Sequence, residues 1–232
     1  MAKTLSYLRD QVRQKADIEN DGQHVSDTEV DAYINDSIRL LHSVLVDGTD
    51  GQLFAKNAGV LNKIGTYSYQ LPSDFSQLVS VDVKHGTNYI RSTQSDPQDY
   101  AQLTQLTGRS LYQERNHFLR WSLEQGRGEL FIFPEPDNTN DVAVQYVPVA
   151  PNLSLDTDTL TWPDFWHQWV VFDAAVQCLN KAENQAGANA LSVERASTEK
   201  RIRDHIKSMT ITRIKTIRTA TQANGYNRFR GF

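Results

Sequence analysis

The sequence predicts an α+β protein: a helical bundle formed by the N- and C-terminal helices, an inserted antiparallel β-rich region, and an extended C-terminal tail. Three observations predict it. Apolar residues recur at spacings of three and four before Gly48 and again after Trp162. Between those stretches they alternate, as in half-buried strands. From Thr212 to Phe232 there is no Asp or Glu. The expected division is residues 1–58 with 160–211 for the bundle, 59–159 for the insertion, and 212–232 for the tail.

Residues 4–16 fit a short helix with Leu5, Leu8 and Val12 on one stripe. A polar linker, Glu19-Asn20-Asp21-Gly22-Gln23, ends it. Ser26 followed by Glu29 has capping-box spacing, in which each side chain satisfies one orphan backbone N–H. Val30, Ile34, Ile38, Leu41 and Leu45 then mark a helix ending before Gly48. Strands are expected at Thr66 to Leu71 and Leu78 to Val83, with a hairpin turn at His85-Gly86-Thr87-Asn88. Asp96 to Leu106 reads as a short helix opened by Pro97. Strands return at His117 to Leu123, Glu129 to Phe133 and Val142 to Val147, with Gly126-Arg127-Gly128 and Pro134 to Asn138 as turns. An extended segment, Pro148 to Thr161, leads to a helix on which Phe165, Trp169, Phe172, Val176 and Leu179 form the core face. Gly187 interrupts it, and a charged helix runs from about Ala190 to Met209.

At 232 residues the chain is one large domain or two small ones, long enough to bury a real core. Its net charge of −4 conceals an asymmetry. Residues 201–232 hold eight Lys/Arg against the single Asp204, a charge of +7, which leaves −11 for residues 1–200. A protein that binds nucleic acid over its whole body is more often basic throughout. Cys178 is the only cysteine, so no intramolecular disulfide forms. The N-terminus lacks the order of a signal peptide, and no apolar run approaches membrane-spanning length.

Groups that carry chemistry are present but do not converge. Asp156 and Asp158 have the spacing of a cation site, yet the glycine and twelfth-position Glu of a calcium loop are missing. An acidic turn leading into a helix whose N-terminus favours negative charge is the better account of them. His167 has no His or Glu partner at metal-ligand spacing, and Cys178 sits among Ala174, Ala175, Val176 and Leu179, where its thiol is silenced. There is no dinucleotide fingerprint and no phosphate loop. The expectation is therefore no catalytic residue, no metal, no cofactor and no enzyme activity. The four tryptophans, Trp121, Trp162, Trp166 and Trp169, fit core or interface anchors.

The tail is the strongest candidate for binding. It carries Arg213, Lys215, Arg218, Tyr226, Arg228, Phe229, Arg230 and Phe232, the residue types that dominate binding hot spots. Such a segment is disordered alone and ordered in a partner's groove. A merely solvated chain end is the alternative.

Several segments carry a family resemblance: Leu8-Arg9-Asp10-Gln11-Val12-Arg13, Ser26 to Ser37, Tyr69-Gln70-Leu71-Pro72-Ser73-Asp74-Phe75, Leu130-Phe131-Ile132-Phe133-Pro134-Glu135-Pro136, and Asp156 to His167 leading into the long helix. Their order along nearly the whole chain resembles the head-to-tail adaptor (connector or head-completion) proteins of tailed bacteriophages. The resemblance implies a virion protein at the head-to-tail junction, synthesised in the bacterial host cytoplasm. It implies a ring of identical subunits, usually a dodecamer, whose C-terminal tails grip the portal protein. A downstream tail or neck protein would bind the other side, and packaged DNA would pass through the lumen without sequence-specific binding. Two other readings remain open: a nucleic-acid-binding regulatory protein with a basic C-terminal arm, and a hydrolase of unknown type.

Overall fold

The computed structural model describes residues 2–18, 25–85, 87–99, 116–122, 127–133 and 142–225, with side chains in the last helix described through Ser208. The chain divides into two compact units, Met1–Thr49 with Ala150–Phe232, and Asp50–Val149. Both divisions fall earlier than the expected boundaries at 59 and 160. The reason is local: the strand at Lys56–Asn57 already belongs to a sheet of the second unit, while Leu153 is hydrogen-bonded to Asn35 in the first.

The first unit contains four described helices: α1 (Leu5–Ala16), α2 (Asp27–Thr49), α3 (Asp164–Lys181) and α4 (Gln185–Gly225). Their contacts run in reversed order along successive pairs, so consecutive helices are antiparallel. Arg9 and Arg13 of α1 meet Asp31 and Asp27 of α2. Glu29 and Ser37 of α2 meet Lys181 and Asp173 of α3. Phe165 and Asp173 of α3 meet His205 and Arg195 of α4. The apolar stripes face inward as their spacing requires: Leu5, Leu8, Val12, Val30, Ile34, Ile38, Leu41, Leu45, Trp169 and Ile202 are all buried. Full burial of each such side chain contributes roughly 1.5–3 kcal/mol.

Three helix ends differ from expectation. α2 continues through Gly48 to Thr49, and Asp50 and Gly51 then take left-handed backbone angles. Gly48 serves packing instead: a Cβ there would lie 3.4 Å from Ile206 Cγ2 of α4. The break between α3 and α4 is at Ala182 to Asn184, where Glu183 has φ 57°, and Gly187 lies inside the first turn of α4. Asn184 caps that turn, its Oδ1 accepting from Gly187 N–H at 3.0 Å. α4 does not stop near Met209 but extends to Gly225, so residues 212–225, expected as extended tail, are helical. No glycine or proline interrupts Ala188 to Asn224, and Gly225 is the next natural stop. Residues 226–232 of the expected tail lie outside the described residues.

A short antiparallel ladder joins β1 (Lys3–Thr4) to β11 (Thr159–Leu160) in the same unit. The second unit holds the other strands: β2 (Lys56–Asn57), β3 (Asn62–Lys63), β4 (Ser68–Gln70), β5 (Phe75–His85), β6 (Asn88–Arg91), β7 (Thr93–Gln94), β8 (Asn116–Ser122), β9 (Arg127–Phe133) and β10 (Val142–Pro148). They form one sheet in the order β2-β10-β5-β6 and another in the order β3-β4-β9-β8-β7. Pairing is antiparallel except between β7 and β8. Val81, Val83, Tyr69, Leu130, Ile132, Val142 and Val144 form one core at period two. The alternate residues of β9, Phe131 and Phe133, join Phe118 in a second cluster, with Phe118 and Phe131 stacked at 4.8 Å. Arg127 and Gly128, expected in a turn, are paired with Ser122 and Trp121 in the β8–β9 ladder. Of the helix expected at Asp96 to Leu106, the described part is a single 3-10 turn at Pro97–Asp99, and the rest lies outside the described residues.

Candidate functional site

The expected binding residues fall into two groups. Arg213, Lys215 and Arg218 lie on the helical backbone of α4. Tyr226, Arg228, Phe229, Arg230 and Phe232 lie outside the described residues. What the structure supplies is the base of this arm. α4 has 41 residues, about 60 Å at 1.5 Å per residue, whereas its antiparallel neighbour α3 has 18. Ala188, Thr198, Ile202 and Ile206 bury one face of its first half. Arg195 Nη1 donates to Asp173 Oδ1 at 2.6 Å, and Asp173 Oδ2 accepts from Ser37 Oγ at 2.8 Å and Gln177 Nε2 at 3.1 Å. One buried carboxylate thus ties α2, α3 and α4 together. Further along, the Phe165 and His205 rings meet edge to face at 5.5 Å.

The turn at Ser154 to Asp158, singled out for its paired acids, has a structural role. Its carbonyls cap α1: Asp158 O accepts from Leu5 N–H at 3.0 Å and Asp156 O from Ser6 N–H at 3.3 Å. Thr4 Oγ1 accepts from Tyr7 N–H at 3.2 Å, so three orphan donors of the first turn are satisfied. The carboxylates do not converge on one point. Asp158 accepts from the N–H groups of Leu155 and Ser154, which hold its carboxyl below the usual carboxylate range. Asp156 accepts from Arg9 Nη2 at 2.7 Å, while Arg9 also forms a two-point pair with Asp31 at 2.8 Å. Asn35 fixes the start of the turn, its amide donating to Leu153 O at 2.9 Å and accepting from Leu153 N–H at 2.8 Å.

The remaining candidates are likewise absorbed by packing. His167 is buried, and its Nε2 donates to Leu160 O at 3.0 Å. Burial lowers its pKa, so the ring is neutral near pH 7. Cys178 is buried and its thiol is pushed up to about 11 by desolvation, far from thiolate chemistry. Among the described residues no group of three His, Cys, Asp or Glu side chains is placed to hold a metal ion. No helix searched is long and apolar enough to cross a membrane.

The capping box is present as read: Glu29 Oε2 accepts from Ser26 N–H at 3.0 Å, and Ser26 Oγ accepts from Glu29 N–H at 3.4 Å. Lys181 adds an ion pair to Glu29, and this with the Ser26 donors holds the carboxyl down to about 2. The Arg9, Asn35 and Asp173 junctions were not expected. Their partners are distant in sequence, and no local spacing announces them.

No curated protein matches the chain. The family model described as SU10 adaptor protein matches residues 3–222, from β1 into the basic part of α4. That match spans nearly all of the sequence, and the chain belongs to the SU10 adaptor protein family.

Proposed function

We propose that this protein is the subunit of a bacteriophage head-to-tail connector ring, docking on the portal through its C-terminal arm and joining it to the tail machinery. The family match over residues 3–222 carries the reading. The charge asymmetry gives it a mechanism, because an acidic body and a +7 terminal stretch suit a protein with one electropositive contact. Arg213, Lys215 and Arg218 lie on the helical part of the arm, and Tyr226, Arg228, Phe229, Arg230 and Phe232 are its proposed anchors. Exposed ion pairs contribute only about 0–1 kcal/mol each, so the aromatic residues supply most of the specificity.

Function on this reading is assembly without turnover. Head-to-tail contacts between identical subunits close into a ring when the rotation permits. Each arm then adds an intramolecular binding event, and avidity multiplies around the ring. A net-negative body would also limit adhesion of the DNA passing through, since basic linings bind phosphate regardless of sequence. Electron microscopy with mass measurement of the purified protein, alone and with portal, tests the assignment. Rings seated on portal are the expected result. A monomer that retards DNA with steep salt dependence would replace this reading with that of a nucleic-acid-binding regulator.

A further inference from the structure

Within the helical unit, α1 and α3 enclose a groove of about 450 Å³, lined chiefly by Lys3, Tyr7, Gln11, Lys15, His167 and Phe172. It combines two chemistries. Lys3 Nζ lies 4.6 Å from the Tyr7 ring centroid and Lys15 Nζ 5.4 Å from that of Phe172, so two ammonium groups stand over aromatic surface. Tyr7 is 42 % exposed. His167 also lines the groove at 3 % exposure, and its Nδ1 has no hydrogen-bond partner among the described residues. Asp164 also lines the groove, its carboxylate 3.8 Å from that nitrogen and beyond hydrogen-bond reach, so the groove holds one acid against the two ammonium groups. Because Nε2 carries the ring's proton, Nδ1 is an acceptor and does not bind a carboxylate, so the features that suit an apolar side chain followed by a carboxylate are the rings and the two ammonium groups.

The same unit presents such a pair. Leu155 is 63 % exposed, and the side chain of its neighbour Asp156 is 66 % exposed despite the Arg9 contact. The turn that carries them is already rigid, held by Asp158 from Ser154 and Leu155 and by the caps to α1, so docking it costs little ordering entropy. It binds α1 on the Arg9 side. Arg9 and Tyr7 are two residues apart, about 200° around a helix of 3.6 residues per turn, so turn and groove lie on opposite sides of α1. One copy therefore cannot fill its own groove, and a head-to-tail contact is the arrangement that joins two different surfaces of identical chains.

We propose that the α1–α3 groove receives the Leu155-Asp156 turn of a second copy of this chain, Leu155 against the Tyr7 and Phe172 rings and Asp156 against Lys3 and Lys15. The proposal rests on the ring reading above and gives that ring a subunit contact. It is tested on full-length protein by mixing two single variants, Leu155→Cys and Gln168→Cys, under conditions where wild-type rings form. Gln168 lines the groove and is exposed, and buried Cys178 stays silent toward a short bis-maleimide. The expected result is a heterologous cross-linked dimer, absent when Val193→Cys, also exposed, replaces Gln168→Cys. A Lys3→Glu, Lys15→Glu double variant, checked for an unchanged circular dichroism spectrum, should weaken self-association about tenfold, each tenfold step being about 1.4 kcal/mol. Rings that form without the cross-link, and with unchanged affinity in the double variant, would overturn the contact and leave the ring standing. Failure of the wild type to self-associate, even on portal, would overturn both.

Discussion

Asn35 shows how much of the helical unit depends on single polar side chains. Its amide satisfies both backbone groups of Leu153 in a buried setting. Leucine at this position fills the space but orphans a donor and an acceptor, each at about 1–3 kcal/mol. Asn35→Leu should therefore lower the urea midpoint by more than an exposed substitution such as Asp36→Leu, and equal midpoints would contradict the role. Glu29 gives a pH signature. Its carboxyl is depressed to about 2 from an ordinary value of 4.5, so its stabilising effect is complete above 4.5 and is lost as pH falls toward 2. His42, His117 and His167, lowered by burial, act in the same direction at higher pH: they are neutral when folded, and stability is lost as pH falls below their ordinary value of 6.5. Thermal melts from pH 8 to 3 should decline through both windows, and Glu29→Gln should flatten the lower one. The Ser26 and Glu29 pair was legible in the sequence because its partners are three residues apart. The Arg9 pair with Asp156 spans 147 positions and was not.

At the scale of elements, hydrophobic period alone located α1, α2, α3 and the longer strands, since each buries one continuous stripe or alternate face. Trp169 lies on such a stripe and is fully enclosed, so Trp169→Ala should cost about 3–5 kcal/mol of stability in its unit. Calorimetry showing an unshifted transition would refute the packing. Helix ends were harder to read because glycine has more than one use. By sequence Gly48 and Gly187 read as stops, yet the first admits Ile206 and the second lies within a turn capped by Asn184. Asn184→Ala should cost about 1 kcal/mol, the usual worth of an N-cap, whereas Gly187→Ala brings a Cβ within 3.1 Å of Asn184 and disturbs the same cap. Two-residue strands such as β1, β7 and β11 have no periodicity to read. They exist because distant partners supply their hydrogen bonds.

For the whole molecule, the division of charge is as informative as the fold. An acidic body ending in a basic, aromatic stretch is the arrangement that the proposed attachment through the tail requires. An acidic turn for the paired acids and an apolar setting for Cys178 are legible in the sequence, whereas the capping of α1 by that turn and the bond from His167 to Leu160 O depend on partners distant in the chain or on backbone geometry. Whether the last residues make the attachment is read from quantitative binding to isolated portal rings. Full-length protein and a chain lacking residues 224–232 are compared at matched salt. The shortened chain should keep its melting temperature and lose stable attachment, and Phe229→Ala plus Phe232→Ala should weaken attachment more than Arg213→Ala plus Lys215→Ala. Undiminished binding of the shortened chain would contradict this and assign attachment to the body.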